Sequence, residues 1–219
     1  DGSIEVELSA GASVSLYGAS YTRFYVGSNG YITFAYADST LGESYATHFN
    51  QPRISGLFDD LDPTAGGSVS WRQLADRVAV TWQDVPQFGT NDDNSVQIEL
   101  FFDGRIQITH LSVGADDGLV GLSQGAGLPL DLVETDLSAQ AQCEAGPQNY
   151  FTELFDAADN DLVNTSIAFK QNGSDDFYSV CRESVTAFPT DPSGGNPLNL
   201  FNDDWAKVTL SNGRVSLYG

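Results

Sequence analysis

The chain has no methionine, two lysines (Lys170 and Lys207), two histidines (His48 and His110) and two cysteines (Cys143 and Cys181). It also lacks any apolar run long enough to form a transmembrane helix. Each shortage excludes something. Nine Lys and Arg stand against thirty Asp and Glu, for a formal net charge of -21. Nucleic acid is therefore no partner, because binding it needs clustered Lys and Arg to displace counterions. An anionic membrane surface is disfavoured for the same reason, and no membrane insertion is expected. The cysteines have no CxxC spacing and no nearby histidines, which argues against zinc. A single Cys143–Cys181 disulfide in an oxidising compartment is the expectation. Neither G-x-S-x-G nor H-E-x-x-H occurs. His110 ends a predicted strand and reads as a surface or sheet-edge residue. Without a methionine or a recognisable leader, the sequence reads as a mature or excised segment.

What is present is alternation. "IEVELS" sets Ile4, Val6 and Leu8 against Glu5 and Glu7, a half-buried strand. "FYVGSNGYITF" predicts two strands around an Asn29-Gly30 turn. "SVSWRQLADRVAVTW" predicts a hairpin turning at Ala75-Asp76, with Trp71 and Trp82 in the core. "VQIELFFDGRIQITHLSV" predicts a hairpin turning at Asp103-Gly104. The helix candidates are "YFTELFDAA" and "DLSAQAQ". Many short strands at regular spacing predict an all-β fold, an antiparallel β-sandwich with a smaller β-rich C-terminal region. The boundary falls in "CEAGPQNY", giving regions 1–146 and 147–219.

The two ends repeat each other. Val6, Leu8, Ser9 and Gly11 correspond to Val208, Leu210, Ser211 and Gly213, and "VSLYG" closes both stretches. The second copy therefore opens a further module or packs on a neighbouring copy of the chain. Main-chain pairing would set its register there, and apolar side chains would be buried. The assembly residues so marked are Val6, Leu8, Trp205, Val208, Leu210, Val215 and Leu217.

The acid is mostly Asp in turns. In "LFDDLDPTAGG", Asp59, Asp60 and Asp62 are the candidate calcium ligands, since calcium takes six to eight oxygens. Asp156, Asp159 and Asp161 of "FDAADND" are a secondary set. The spacing is not that of an EF-hand, and the alternative is that these side chains cap backbone amides. No other cofactor is expected.

The stretch from "FYVGSNGYITF" through "PRISGLFDDLDP", "DRVAVTW" and "VQIELFFDGRIQITHL" to "GLVGLS" resembles the nidogen-type extracellular module, NIDO. It is also similar to repeat modules of large secreted bacterial surface proteins. The resemblance covers roughly residues 13 to 138. It implies a β-sandwich in extracellular matrix or adhesion settings and carries over no catalytic residue. The leading reading is a secreted structural subunit or repeat module of a fibre, non-enzymatic, partnered head to tail by copies of itself. The second reading is a polysaccharide- or matrix-binding module. The third is a hydrolase, for which thirty carboxylates supply pairs but no distinguished one.

Overall fold

The computed structural model describes residues 1–140, 151–156, 159–173 and 178–200, and the backbone of residues 206–207. Its described strands form two seven-stranded sheets and a two-stranded hairpin. The first sheet runs β12 (Thr152–Asp156), β11 (Asp117–Gln124), β6 (Pro52–Phe58), β5 (Tyr31–Thr33), β4 (Arg23–Gly27), β1 (Ser3–Glu7) and β16 (Ala206–Lys207). The second runs β14 (Tyr178–Ser184), β13 (Thr165–Gln171), β10 (Ile106–Ser112), β9 (Asn94–Phe101), β8 (Arg77–Val85), β7 (Ser68–Gln73) and β15 (Asn196–Leu198). The hairpin is β2 (Val14–Leu16) and β3 (Ala19–Tyr21).

Alternation builds the sandwich. Val78, Val80 and Trp82 of β8 lie beside Val96, Ile98 and Leu100 of β9 on one inner face. Ile4 and Val6 of β1, Phe24 and Val26 of β4, and Ile54 of β6 join the same buried core from the other sheet. Trp71 and Trp82 are core residues, as the alternation predicts. The Asn29-Gly30 turn sits where β4 passes into β5. Gly30 is required there: its φ is +74°, and a Cβ would come within 1.8 Å of the Leu57 carbonyl oxygen.

The structure corrects three expectations. "YFTELFDAA" contains a strand, β12, which pairs with β11 over Asp117–Gly121. A lone nine-residue helix is marginal, whereas an edge strand gains a ready-made ladder. The one helix among the described residues is α1 (Tyr45–His48), started by Ser44, whose hydroxyl accepts from the Thr47 amide at 3.1 Å. His110 lies fully buried between the sheets rather than at a surface or edge. Within "DLSAQAQ", residues 137–139 form a bend and turn rather than a helix, and residues 141 and 142 lie outside the described residues.

Strands from both sides of residue 146 share both sheets. β12 extends the first; β13 and β14 extend one edge of the second, and β15 the other. Between β14 and β15, residues 185–195 cross the outer face of the second sheet. Thr190 anchors this strap: its amide donates to Gln97 Oε1 at 3.0 Å and its carbonyl accepts from Gln97 Nε2 at 2.7 Å. Its hydroxyl donates to Glu99 at 2.5 Å, and Arg77 donates to the same Glu99 oxygen at 3.0 Å.

Candidate functional site

The edge of the first sheet is the first place to consider. Among the described residues, every strand pair in the two sheets is antiparallel except β1 with β16. Ile4 pairs with Ala206 and Glu5 with Lys207 of the same chain, so over these two residues the C-terminal copy extends its own sheet, where the sequence alone places it on a further module or a neighbouring copy. This register is the spacing separating Val6 from Val208 and Leu8 from Leu210 in the sequence repeat. The repeat and the register are thus the same displacement along the chain. β1 is thereby sandwiched, antiparallel to β4 on one side and parallel to β16 on the other. Val6 and Leu8 are buried in the core of their own sandwich, so β1 offers its neighbour main chain rather than these side chains. Trp205, Val208, Leu210, Val215 and Leu217 lie outside the described residues.

The "LFDDLD" step forms a tightly bonded turn after β6. Asp59 is 4 % exposed. Its Oδ1 accepts from the Asp60 amide at 2.7 Å and its Oδ2 from Gln87 Nε2 at 2.6 Å. Burial pushes its carboxyl up to about 7, and the Asp117 and Glu43 carboxylates add to the rise. Asp62 Oδ1 accepts from both the amide and the hydroxyl of Thr64, at 2.9 and 2.5 Å. The carbonyl of Asp60 accepts from the Phe88 amide at 2.7 Å. Each carboxylate oxygen named here already has a protein donor, the arrangement expected of turn caps.

Carboxylates converge elsewhere. Asp136, Glu153 and Asp161 bring ligand oxygens within 4.8 Å of one another, at a cavity of about 570 Å³ also lined by Glu134, Asp159 and Asn160. Glu153 stands on β12 and accepts from the Leu137 amide at 2.8 Å. The Ser138 hydroxyl lies 2.7 Å from Asp136 Oδ1 and 2.6 Å from Asp161 Oδ2. A hydroxyl has one hydrogen, so it can donate fully to only one of them. Burial pushes Glu153 up to about 7, reinforced by Asp136, Asp161 and Glu134. Such crowding is relieved by a proton or by a hard cation with oxygen ligands. Of the secondary set, only Asp161 joins this cluster, while Asp159 Oδ1 accepts from the Asp156 amide at 2.8 Å. Asp136 and Glu153 carried no signal in the sequence, because the three acids come from separate segments.

The remaining reactive side chains serve packing. His48 Nδ1 is 2.9 Å from Ser55 Oγ and its Nε2 is 3.3 Å from Thr152 Oγ1. A serine–histidine contact can mark a nucleophile, but His48 and Ser55 are fully buried. Burial, with Arg53 nearby, drives His48 down to about 3. Cys181 is 8 % exposed on β14, and no free cysteine occurs among the described residues. Its expected partner Cys143 lies outside them.

The family model described as NIDO related matches residues 1–171. No curated protein and no solved structure matches the chain. The family match supports an extracellular β module, and no helix among the described residues is long and apolar enough to cross a membrane.

Proposed function

Because the chain belongs to the NIDO-related family, we propose that it is a non-catalytic structural module of an extracellular fibre or surface protein, joined to copies of itself through its terminal strands. The observation that carries this reading is the parallel β1–β16 pair, whose register repeats the spacing of the duplicated sequence. A C-terminal strand that pairs with its own β1 can make the same main-chain bonds to the β1 of a neighbour. Exchange of this kind swaps one partner for an identical one at little cost, and the sheet-edge pairing supplies register. Head-to-tail exchange leaves one donor and one acceptor free at the ends, so the contact propagates unless a ring closes.

A count of strand edges favours exchange over a simple tandem array. A strand has two edges, and β1 uses both, for β4 and β16. If Val208–Gly219 opened a following module, its strand would need one edge for that module's β4 and the other for that module's terminal strand. No edge would remain to pair with β1. A donated terminal strand needs only one edge.

The test compares the full chain with Val208→Asp and Leu210→Asp variants by electron microscopy and by sizing at rising concentration. Wild-type fibres or end-to-end oligomers and monomeric variants are the expected result. A wild-type chain that stays monomeric, even after unfolding and slow refolding at high concentration, would overturn the proposal.

A further inference from the structure

Another cavity lies away from the terminal strands, between the strap and the outer face of the second sheet. It is an open groove of about 800 Å³, within the range of small-molecule and oligomer sites. Its floor carries Ser68, Ser70, Gln83 and Ser95. These alternate with the inward Val69, Trp82 and Val96, so strand geometry puts them on the outer face. Ser68 and Gln83 are directly paired across β7 and β8. The half-buried Phe188 and Pro192 line the strap side.

One end of the groove is rigidly built. Asp84 has φ +56°, an uncommon conformation for a residue other than glycine. It sits at the register shift between Trp82 and Val85. Ser95 holds it from both sides: its hydroxyl accepts from the Asp84 amide at 3.0 Å and donates to Asp84 Oδ1 at 2.8 Å. The neighbouring Gly67 has φ +69°, and a Cβ there would lie 2.3 Å from the Gln83 carbonyl oxygen. Any side chain at 67 would force the β7 end away from the bulge.

The lining sorts ligand classes. It contains Asp84 and Asp191 but no Lys or Arg among the described residues, and the adjacent Arg72 guanidinium is taken up by the Asp191 and Ser193 carbonyls, so an anionic ligand is disfavoured on a chain of net charge -21. An extended peptide would seek a free strand edge, but β15 already occupies the β7 edge here. The hydroxyl and amide floor is too polar for a lipid chain. What remains complementary is a ligand with many uncharged hydroxyls and apolar ring faces. Hydroxyls would bond Ser68, Ser70, Gln83 and Asp84, while C–H faces would pack on Phe188 and Pro192. We infer that this groove is a binding site for a neutral polysaccharide.

The experiment is affinity electrophoresis of the full chain in native gels containing a neutral β-glucan, a neutral mannan or the carboxylated polysaccharide alginate. The variants are Gln83→Ala, at an exposed side chain that leaves the core untouched, and Phe188→Ala. Retardation by a neutral glycan, weakened about tenfold in each variant, is expected; that loss corresponds to about 1.4 kcal/mol. Retardation by alginate alone, by none of the three, or equally in wild type and Gln83→Ala overturns the inference. Assembly through the terminal strands is read separately, since neither variant lies at the β1 edge.

Discussion

His110 of β10 and Gly56 of β6 bridge the two sheets, with the His110 Nε2 2.7 Å from the Gly56 carbonyl oxygen. A carbonyl only accepts, so Nε2 carries the hydrogen and Nδ1 is bare. That Nδ1 is buried and has no partner. Protonating it would place an unpaired charge in the core, and burial accordingly drives His110 down to about 4.

This fixes the acid side of the stability profile. His48 and His110 stay neutral when folded, at about 3 and about 4, yet take up protons near 6.5 when unfolded. Their contribution is present above 6.5 and lost as pH falls toward 4. Asp59 and Glu153 have the opposite sign. Each is raised to about 7 when folded, so their contribution is present below about 4 and lost as pH rises through 7. The two kinds act in opposite directions from pH 4.5 to 6.5, and the raised Glu43, Asp93 and Glu99 add to the carboxyl side, so the loss due to the histidines should be masked in the wild type. In a D59N/E153Q double variant these two carboxyls no longer oppose the histidines, and stability should fall more steeply on acidification than in the wild type, by at most about 1.4 kcal/mol per pH unit per histidine, with the raised Glu99, Glu43 and Asp93 still opposing in part. A flat profile in the double variant would refute the assignment.

Trp82 also bonds across the sheets, donating its indole N–H to the Gly27 carbonyl at 3.1 Å from a fully buried position. Trp82→Phe keeps most of the packing but leaves that carbonyl without its donor. A loss of about 1–3 kcal/mol is expected, against about 3–5 kcal/mol for Trp82→Ala. Chemical denaturation followed by circular dichroism measures both. A Trp82→Phe loss near zero would mean that the hydrogen bond contributes nothing beyond volume.

The Cys143–Cys181 disulfide is expected to be closed; Cys181 is buried on β14 and Cys143 lies outside the described residues. Its loop is long enough that opening it should cost about 3–4 kcal/mol through the entropy of the unfolded chain. Thiol titration of the denatured, unreduced protein should find none. Two reactive thiols there would sink the pairing.

Calcium is expected at Asp136, Glu153 and Asp161, where carboxylates crowd, rather than at the "LFDDLD" turn, where both Asp59 oxygens and Asp62 Oδ1 already accept from protein donors. Added calcium should raise the melting temperature and chelator should reverse the rise. Asp161→Asn should abolish the response, and Asp62→Asn should not. A response lost only in Asp62→Asn would return the site to the "LFDDLD" turn.

The alternating residues carried most of the fold. Ile4, Val6, Val78, Val80 and Trp82 announced their faces because a strand's side chains point to opposite sides in turn, and Asn29-Gly30 announced its turn because few residues accept positive φ. The sequence by itself determined the β class, the hairpins, the family and the existence of a repeat, all of which are written in local order. Only the tertiary structure decided that His110 is buried, that residues 152–156 form an edge strand, and that Asp136 and Glu153 meet Asp161. These depend on which distant segment supplies a hydrogen bond or removes water. The same holds for the repeat: its letters are local, but its alignment beside β1 is a property of the sheet edge, where one free row of main-chain groups selects what lies against it.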